Sequence, residues 1–172
     1  RQRQMCIRDR YYGDGALSTF ESAVEAVRCA VEVQLELARP PRVPVRIGVH
    51  AGDVVLEAEG VYGDGVNVAS RVEGLCAPGG VMISGKVFDE IKNHPPITAV
   101  PFGPFRLRNV ARPVEIFAVS SEGLPVPSPE EVRARAVPGG GRPAAAPGPG
   151  ERADPPQGPG EAFLRAVKER SM

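Results

Sequence analysis

"GVYGDGVNVASRVE", residues 60–73, changes character within a few positions. Gly63-Asp64-Gly65 is a glycine-flanked turn, and beyond it Val68, Val72 and Leu75 recur at helical spacing. The pattern predicts a helix over about 66–75, ended by Ala77-Pro78-Gly79-Gly80. Asn67 and Arg71 stand four positions apart on it and so share one face. In one reading they form a solvated polar face, with Asp64 as the N-cap. In the other they do chemistry. Asn costs a helix about 0.5 kcal/mol relative to Ala, and here it stands just past the cap position instead of at it. An amide can position a substrate oxygen. A guanidinium can stabilise charge developing on a phosphoryl group, an effect of about 10³–10⁵ in rate where it has been tested.

The same "YGDG" occurs earlier, at residues 12–15. "YYGDGALSTF", 11–20, reads as two short strands about a Gly-Asp-Gly turn. Asp14 is either a turn residue that tolerates unusual dihedrals or a carboxylate at a strand end able to bind a metal. Mg²⁺ commonly takes only one or two carboxylates, leaving the rest of its shell to water and phosphate. Ser22 then opens a helix with Glu25 three positions on, a capping-box spacing. Val24, Val27, Val31 and Leu35 make its apolar stripe, and it stops before Pro40-Pro41. Strands are predicted at 43–52, 54–56, 81–84, 102–107 and 114–119, with a brief helix at 87–92. This order implies an α+β, ferredoxin-like sandwich: an antiparallel-rich sheet with helices packed on one face.

Composition narrows the function classes. Lys and Arg total 21 and so do Asp and Glu, so no net field draws the chain to nucleic acid or an acidic membrane. An RNA-binding ferredoxin-like module would also want an aromatic-bearing central strand, which is lacking. The three cysteines, Cys6, Cys29 and Cys76, are widely spaced, which suggests reduced thiols in a cytoplasmic protein. No run of 18 apolar residues predicts a membrane span. Residues 1–10, "RQRQMCIRDR", lack periodicity and read as a non-native or uninformative segment. Between Pro138 and Gly160, 14 of 23 residues are Gly or Pro, so 121–160 reads as a disordered linker. Residues 161–172 read as a short helix.

Four blocks now stand in order: "GDGALSTFESAVEAVRCAVEVQ", "VRIGVHAGDVV", "VYGDGVNVASRVEGLCAPGGVMIS" and "FRLRNVARPVEIFAV". Together, over about residues 11–120, they resemble the catalytic domain of the bacterial-type class III adenylate and guanylate cyclases. The resemblance implies conversion of ATP or GTP to the 3′,5′-cyclic monophosphate and pyrophosphate, for signal transduction, with ATP favoured over GTP on family frequency. It implies two Mg²⁺ or Mn²⁺ ions held by two aspartates, the second of which matches Asp14. It implies that Asn67 and Arg71 are the transition-state pair, acting across a homodimer interface on nucleotide bound by the other subunit. A basic residue near the last strands contacts the triphosphate in relatives, and Arg108 or Arg112 matches loosely.

Departures accompany the match. The strand bearing the family's first metal aspartate, and the helices after it, have no counterpart in this sequence, so this stretch alone is expected to be inactive or nearly so. The base-contacting lysine position holds Arg10, and the other base-selecting position holds Gly60, which offers no side chain. His50 is expected to be structural and Asp53 a turn residue. A rival reading keeps the fold without the chemistry: an inactive cyclase-like module for dimerisation or nucleotide sensing.

Overall fold

A computed structural model describes residues 8–12, 15–56, 61–136 and 161–168. Asp14, Gly60 and the Pro/Gly-rich stretch 137–160 lie outside the described residues. The elements, in chain order, are β1 (Arg8–Tyr12), β2 (Gly15–Phe20), α1 (Ala23–Leu37), β3 (Val45–Gly52), β4 (Val55–Leu56), β5 (Val61–Tyr62), α2 (Asp64–Leu75), β6 (Val81–Ser84), α3 (Gly85–Ile91), β7 (Thr98–Phe105), β8 (Val114–Ser120), α4 (Pro129–Ala136) and β9 (Glu161–Lys168). The class is α+β. Seven strands form one sheet in the order β1-β2-β9-β3-β6-β8-β7, and β4 and β5 form a separate hairpin. Only the β3–β6 pairing in the main sheet is parallel.

β1 and β2 pair antiparallel, with Tyr12 opposite Gly15, as two strands in this stretch were expected to do. Ser22 caps α1, its Oγ accepting the Glu25 N–H at 3.4 Å. The face of α1 that is fully buried is Ala23, Ala26, Val27 and Ala30, packed with Ile47 and Val49 of β3 and Val81 and Ile83 of β6, whereas of the expected stripe Val24 and Val31 are partly buried and Leu35 is exposed. Gln34, buried on the same helix, donates through Nε2 to the carbonyls of Val45 (2.8 Å) and Gly80 (2.7 Å). Pro101 and Pro104 fall on β7, an outer strand, where missing N–H donors do the least harm.

Three expectations are corrected. Helices cover both faces of the sheet, not one. Ile47 and Val49 face α1, whereas Gly48 between them faces α2, so the two helices flank β3 from opposite sides. The reason lies in β3, which is buried on both faces along Ile47–Ala51 and therefore needs two covers. The folded part also runs past residue 120: Leu124 and Val132 are buried, and α4 forms where a linker was expected. Residues 161–168, expected to be helical, form a central strand between β2 and β3, antiparallel to both. Glu161, Ala162, Leu164, Arg165, Ala166 and Lys168 are good helix formers, and long-range pairing on two sides overrides that local preference.

Candidate active site

Helix α2 carries the site, and glycines set its position. Gly63 is the N-cap at φ 139°, a conformation that L residues avoid, and a Cβ there would come within 2.9 Å of the Asp53 carbonyl. The helix thus begins two residues before the predicted start. Asp64 is its first residue and not its cap, and its carboxylate stands at the positive end of the helix dipole. Gly48 matters more. A Cβ on it would fall 2.3 Å from the Glu73 nitrogen and 2.7 Å from the Ala69 carbonyl oxygen. The backbone of α2 therefore lies directly on β3, closer than any side chain at position 48 permits. Beside this contact Arg46 Nε pairs with Glu73 Oε1 at 2.9 Å, the Glu73 side chain being 6% exposed. Such a pair fixes the helix against sliding or rotation on the strand.

Val68, Val72 and Leu75 are buried with Met82, Leu107, Ile116 and Ala118. This leaves the opposite side of α2 outward, and Asn67 and Arg71 are both exposed there, one turn apart. Neither side chain makes a hydrogen bond or ion pair with another described residue. Arg108 and Arg112 are exposed in the loop between β7 and β8. Leu107, in the same loop, packs with Val68 and Val72, so the loop lies on α2's side of the sheet. The structure thus puts Asn67 and Arg71 together on one helix face and the two loop arginines on the same side of the sheet.

His50 is buried, with Nδ1 2.7 Å from Ser84 Oγ. Burial, and secondarily the Lys86 cation, lower its pKa to about 4, so it is neutral at pH 7. A Cβ on Gly52 would lie 3.3 Å from both His50 Nε2 and Gly65 Cα, which puts the imidazole under the first turn of α2. Its role is packing, as expected. A cleft of about 350 Å³ opens at the end of β3, lined by Ala51, Gly52, Asp53, Lys86, Asp89 and Glu90. None of Asn67, Arg71, Arg108 and Arg112 lines it. Among the described residues no group of three or more His, Cys, Asp and Glu is placed to hold a metal ion.

Comparison with known proteins decides the family. The model of the adenylate and guanylate cyclase catalytic domain matches residues 10–120. The chain belongs to this family. Among curated relatives, "Putative adenylate cyclase 3" of Rhizobium meliloti (strain 1021) is 40% identical over 115 residues, which cover 63% of this chain and 20% of the relative. The "pH-sensitive adenylate cyclase MT1302" of Mycobacterium tuberculosis (strain CDC 1551 / Oshkosh) is 36% identical over 78 residues, covering 44% of this chain and 20% of that one. The chain thus spans about a fifth of the length of each of these two relatives. Among solved structures, the adenylate/guanylate cyclase/hydrolase from Silicibacter pomeroyi superposes with a TM-score of 0.61 at 31% identity, covering 66% of this chain and 72% of that chain. An adenylate cyclase structure from Trypanosoma brucei, with a TM-score of 0.60 at 18% identity, covers 69% and 72% of the two chains and shares the fold.

Sequence reasoning missed Gly48, the Arg46–Glu73 pair and Arg135 of α4, which donates to the Cys76 carbonyl at the end of α2. Only α4 left a local signal: Ser128-Pro129-Glu130-Glu131 has a cap residue, proline at the first helical position and glutamate three past the cap.

Proposed function

We propose that this domain is a nucleotidyl cyclase that works as a homodimer, taking ATP in preference to GTP and forming the 3′,5′-cyclic nucleotide for signalling in the cytoplasm. The observation that supports it best is the outward pair Asn67 and Arg71 on a helix whose backbone lies directly against β3. A polar pair with no partner on its own described surface suits a half-site that is completed by a second protomer.

In the reaction the ribose 3′-oxygen attacks the α-phosphorus. The O3′–P bond forms, the bond from phosphorus to the pyrophosphate oxygen breaks, and the 3′-hydroxyl proton passes to solvent. Asn67 would orient the ribose by hydrogen bonding. Arg71 would face the α-phosphate and oppose the charge that builds on its oxygens. Arg108 or Arg112 would hold the triphosphate tail. Gly60, with no side chain, leaves discrimination between the bases to other groups.

Asp14 would be one ligand of the Mg²⁺ or Mn²⁺ ions. An aspartate carboxylate is the hard oxygen donor they require, with water and phosphate filling the remaining positions. When bound, such ions acidify the attacking hydroxyl and neutralise phosphate charge. The 172 residues alone would be inactive or nearly so, because the family's first aspartate has no counterpart in them.

The test is a manganese-supported assay, with ATP and GTP offered separately, of a chimera in which the N-terminal strand and helices of the Rhizobium meliloti relative precede Tyr11. Cyclic product is expected, and Arg71→Ala should lower kcat by about 10³-fold or more while leaving the fold intact. No product from either nucleotide would refute the enzymatic reading in favour of an inactive dimerisation or nucleotide-sensing module. Full activity in the Arg71 variant would refute the role assigned to that residue.

A further inference from the structure

Residues 121–136 lie beyond the stretch matched to the family, yet they are built onto the helix that carries the site. After β8 the chain buries Leu124 with the core under α1. It then lays Pro125 across the turn following α2, within 3.5 Å of where a Cβ on Gly79 would stand. Next comes α4. Its start is held independently of α2: Glu131 N–H donates to Ser128 Oγ (3.2 Å), and Ser128 N–H donates to Glu131 Oε2 (2.7 Å). Val132, fully buried, joins Val72, Leu75 and Cys76 in one apolar cluster. Arg135 Nη1 donates to the Cys76 carbonyl at 2.8 Å.

That last contact meets a specific need. The last carbonyls of a helix lack partners within it, and they carry the negative end of its dipole. The last turn of α2 contains no basic residue. Cys76 is its C-cap, so the cation missing from α2 is delivered by a different helix.

We propose that Arg135 is a positioning residue for α2, and that α4 is a clamp which sets how the helix bearing Asn67 and Arg71 is seated. The catalytic consequence rests on the cyclase reading above, whereas the clamp itself does not. Cys76 lies five residues past Arg71, about 7.5 Å along the axis, and nine past Asn67, about 13.5 Å. Over that length a helix moves as a rod, so a tilt at the clamped end reaches both side chains. Misplacement by about 1 Å can cost about 10²-fold in rate. The clamp also gives whatever follows Ala136 a mechanical route to the site.

Cys76 supplies a readout that needs no activity. Cys76 is fully buried in the apolar cluster that Val132 of α4 joins, and that burial pushes its thiol pKa up to about 12, so it reacts with thiol reagents only when the cluster opens. The experiment labels the full 172-residue chain with iodoacetamide under native conditions and follows Cys76 by peptide mass spectrometry. The same variants are assayed in the chimera for kcat and KM. Arg135→Ala is expected to speed Cys76 labelling by about 10–100-fold, the range expected for one lost charged hydrogen bond. It should lower kcat per folded molecule by about tenfold with KM unchanged within about twofold. Arg135→Lys, which keeps a cationic donor, should recover much of both. Labelling at the wild-type rate in Arg135→Ala overturns the clamp whatever the assay gives. Faster labelling with undiminished kcat overturns the positioning role. A wild-type chimera silent with both nucleotides overturns the cyclase reading and the positioning role with it, while the labelling arm still judges the clamp.

Discussion

His50 shows how a residue can be prominent in a motif and still serve the scaffold. Its imidazole is buried beside Ser84 and under the first turn of α2, and it stays neutral because burial, with Lys86 nearby, holds its pKa at about 4. In the unfolded chain the same group titrates near 6.5. Below that pH the unfolded state takes up a proton that the native state refuses. Stability that is intact above about pH 6.5 therefore declines as pH falls towards 4, by up to about 1.4 kcal/mol per pH unit from this residue. Urea denaturation of wild type and His50→Gln between pH 7.5 and 4.5 isolates the effect, and the variant is expected to lose less stability across that window. Equal slopes would mean that His50 is protonated in the native state. Asn67 and Arg71, by contrast, could be placed on one face by spacing alone, since four positions on a helix guarantee it, whereas the role proposed for them comes from the family resemblance.

The seating of α2 on β3 is a property of two elements in contact. The sequence announced both, but not their separation, because nothing local distinguishes a glycine needed for close approach from one needed for a turn. Gly48→Ala is expected to destabilise the fold by about 1–3 kcal/mol or more, since the methyl must displace helix backbone and not a flexible side chain. In the chimera it should also lower kcat, by moving Asn67 and Arg71 together. Thermal melts and single-point kinetics read the two effects separately. A Gly48→Ala protein of wild-type stability would mean that α2 does not touch β3 as described. The other elements divide by how far their determinants lie. The β1–β2 pairing, the Ser22 cap and β6 depend on neighbours in sequence and could be read. Helix α4 had a readable cap at Ser128–Glu131 but sat in a proline-rich setting that masked it. The second covered face of the sheet could be read only from the unbroken burial of Ile47–Ala51 in β3, which is a tertiary fact.

The sheet as a whole is joined through its last strand. β2 and β3 share no pairing, and β9 lies between them, in register with all six residues of β2 and all eight of β3. Gly15 faces Val167, so the connection brings together opposite ends of the chain and cannot be inferred from any local pattern. This closure bears on the proposed site, because the paired strands β1 and β2, which flank Asp14 in sequence, are attached to the α2–β3 unit through β9. Ending the chain at Ala136 should therefore leave β3, β6, β8 and β7 with their helices intact while freeing the β1–β2 hairpin. Hydrogen exchange is expected to show amide protection lost along β2 and reduced on the β9-facing side of β3, with β6 and β8 protected as before. A peptide of residues 157–172 added in trans should restore protection in β2, because the slot recognises main-chain donors and acceptors on both sides. Unchanged protection in the truncated chain would show that β2 reaches β3 without β9, and the strand order β1-β2-β9-β3 would then be wrong.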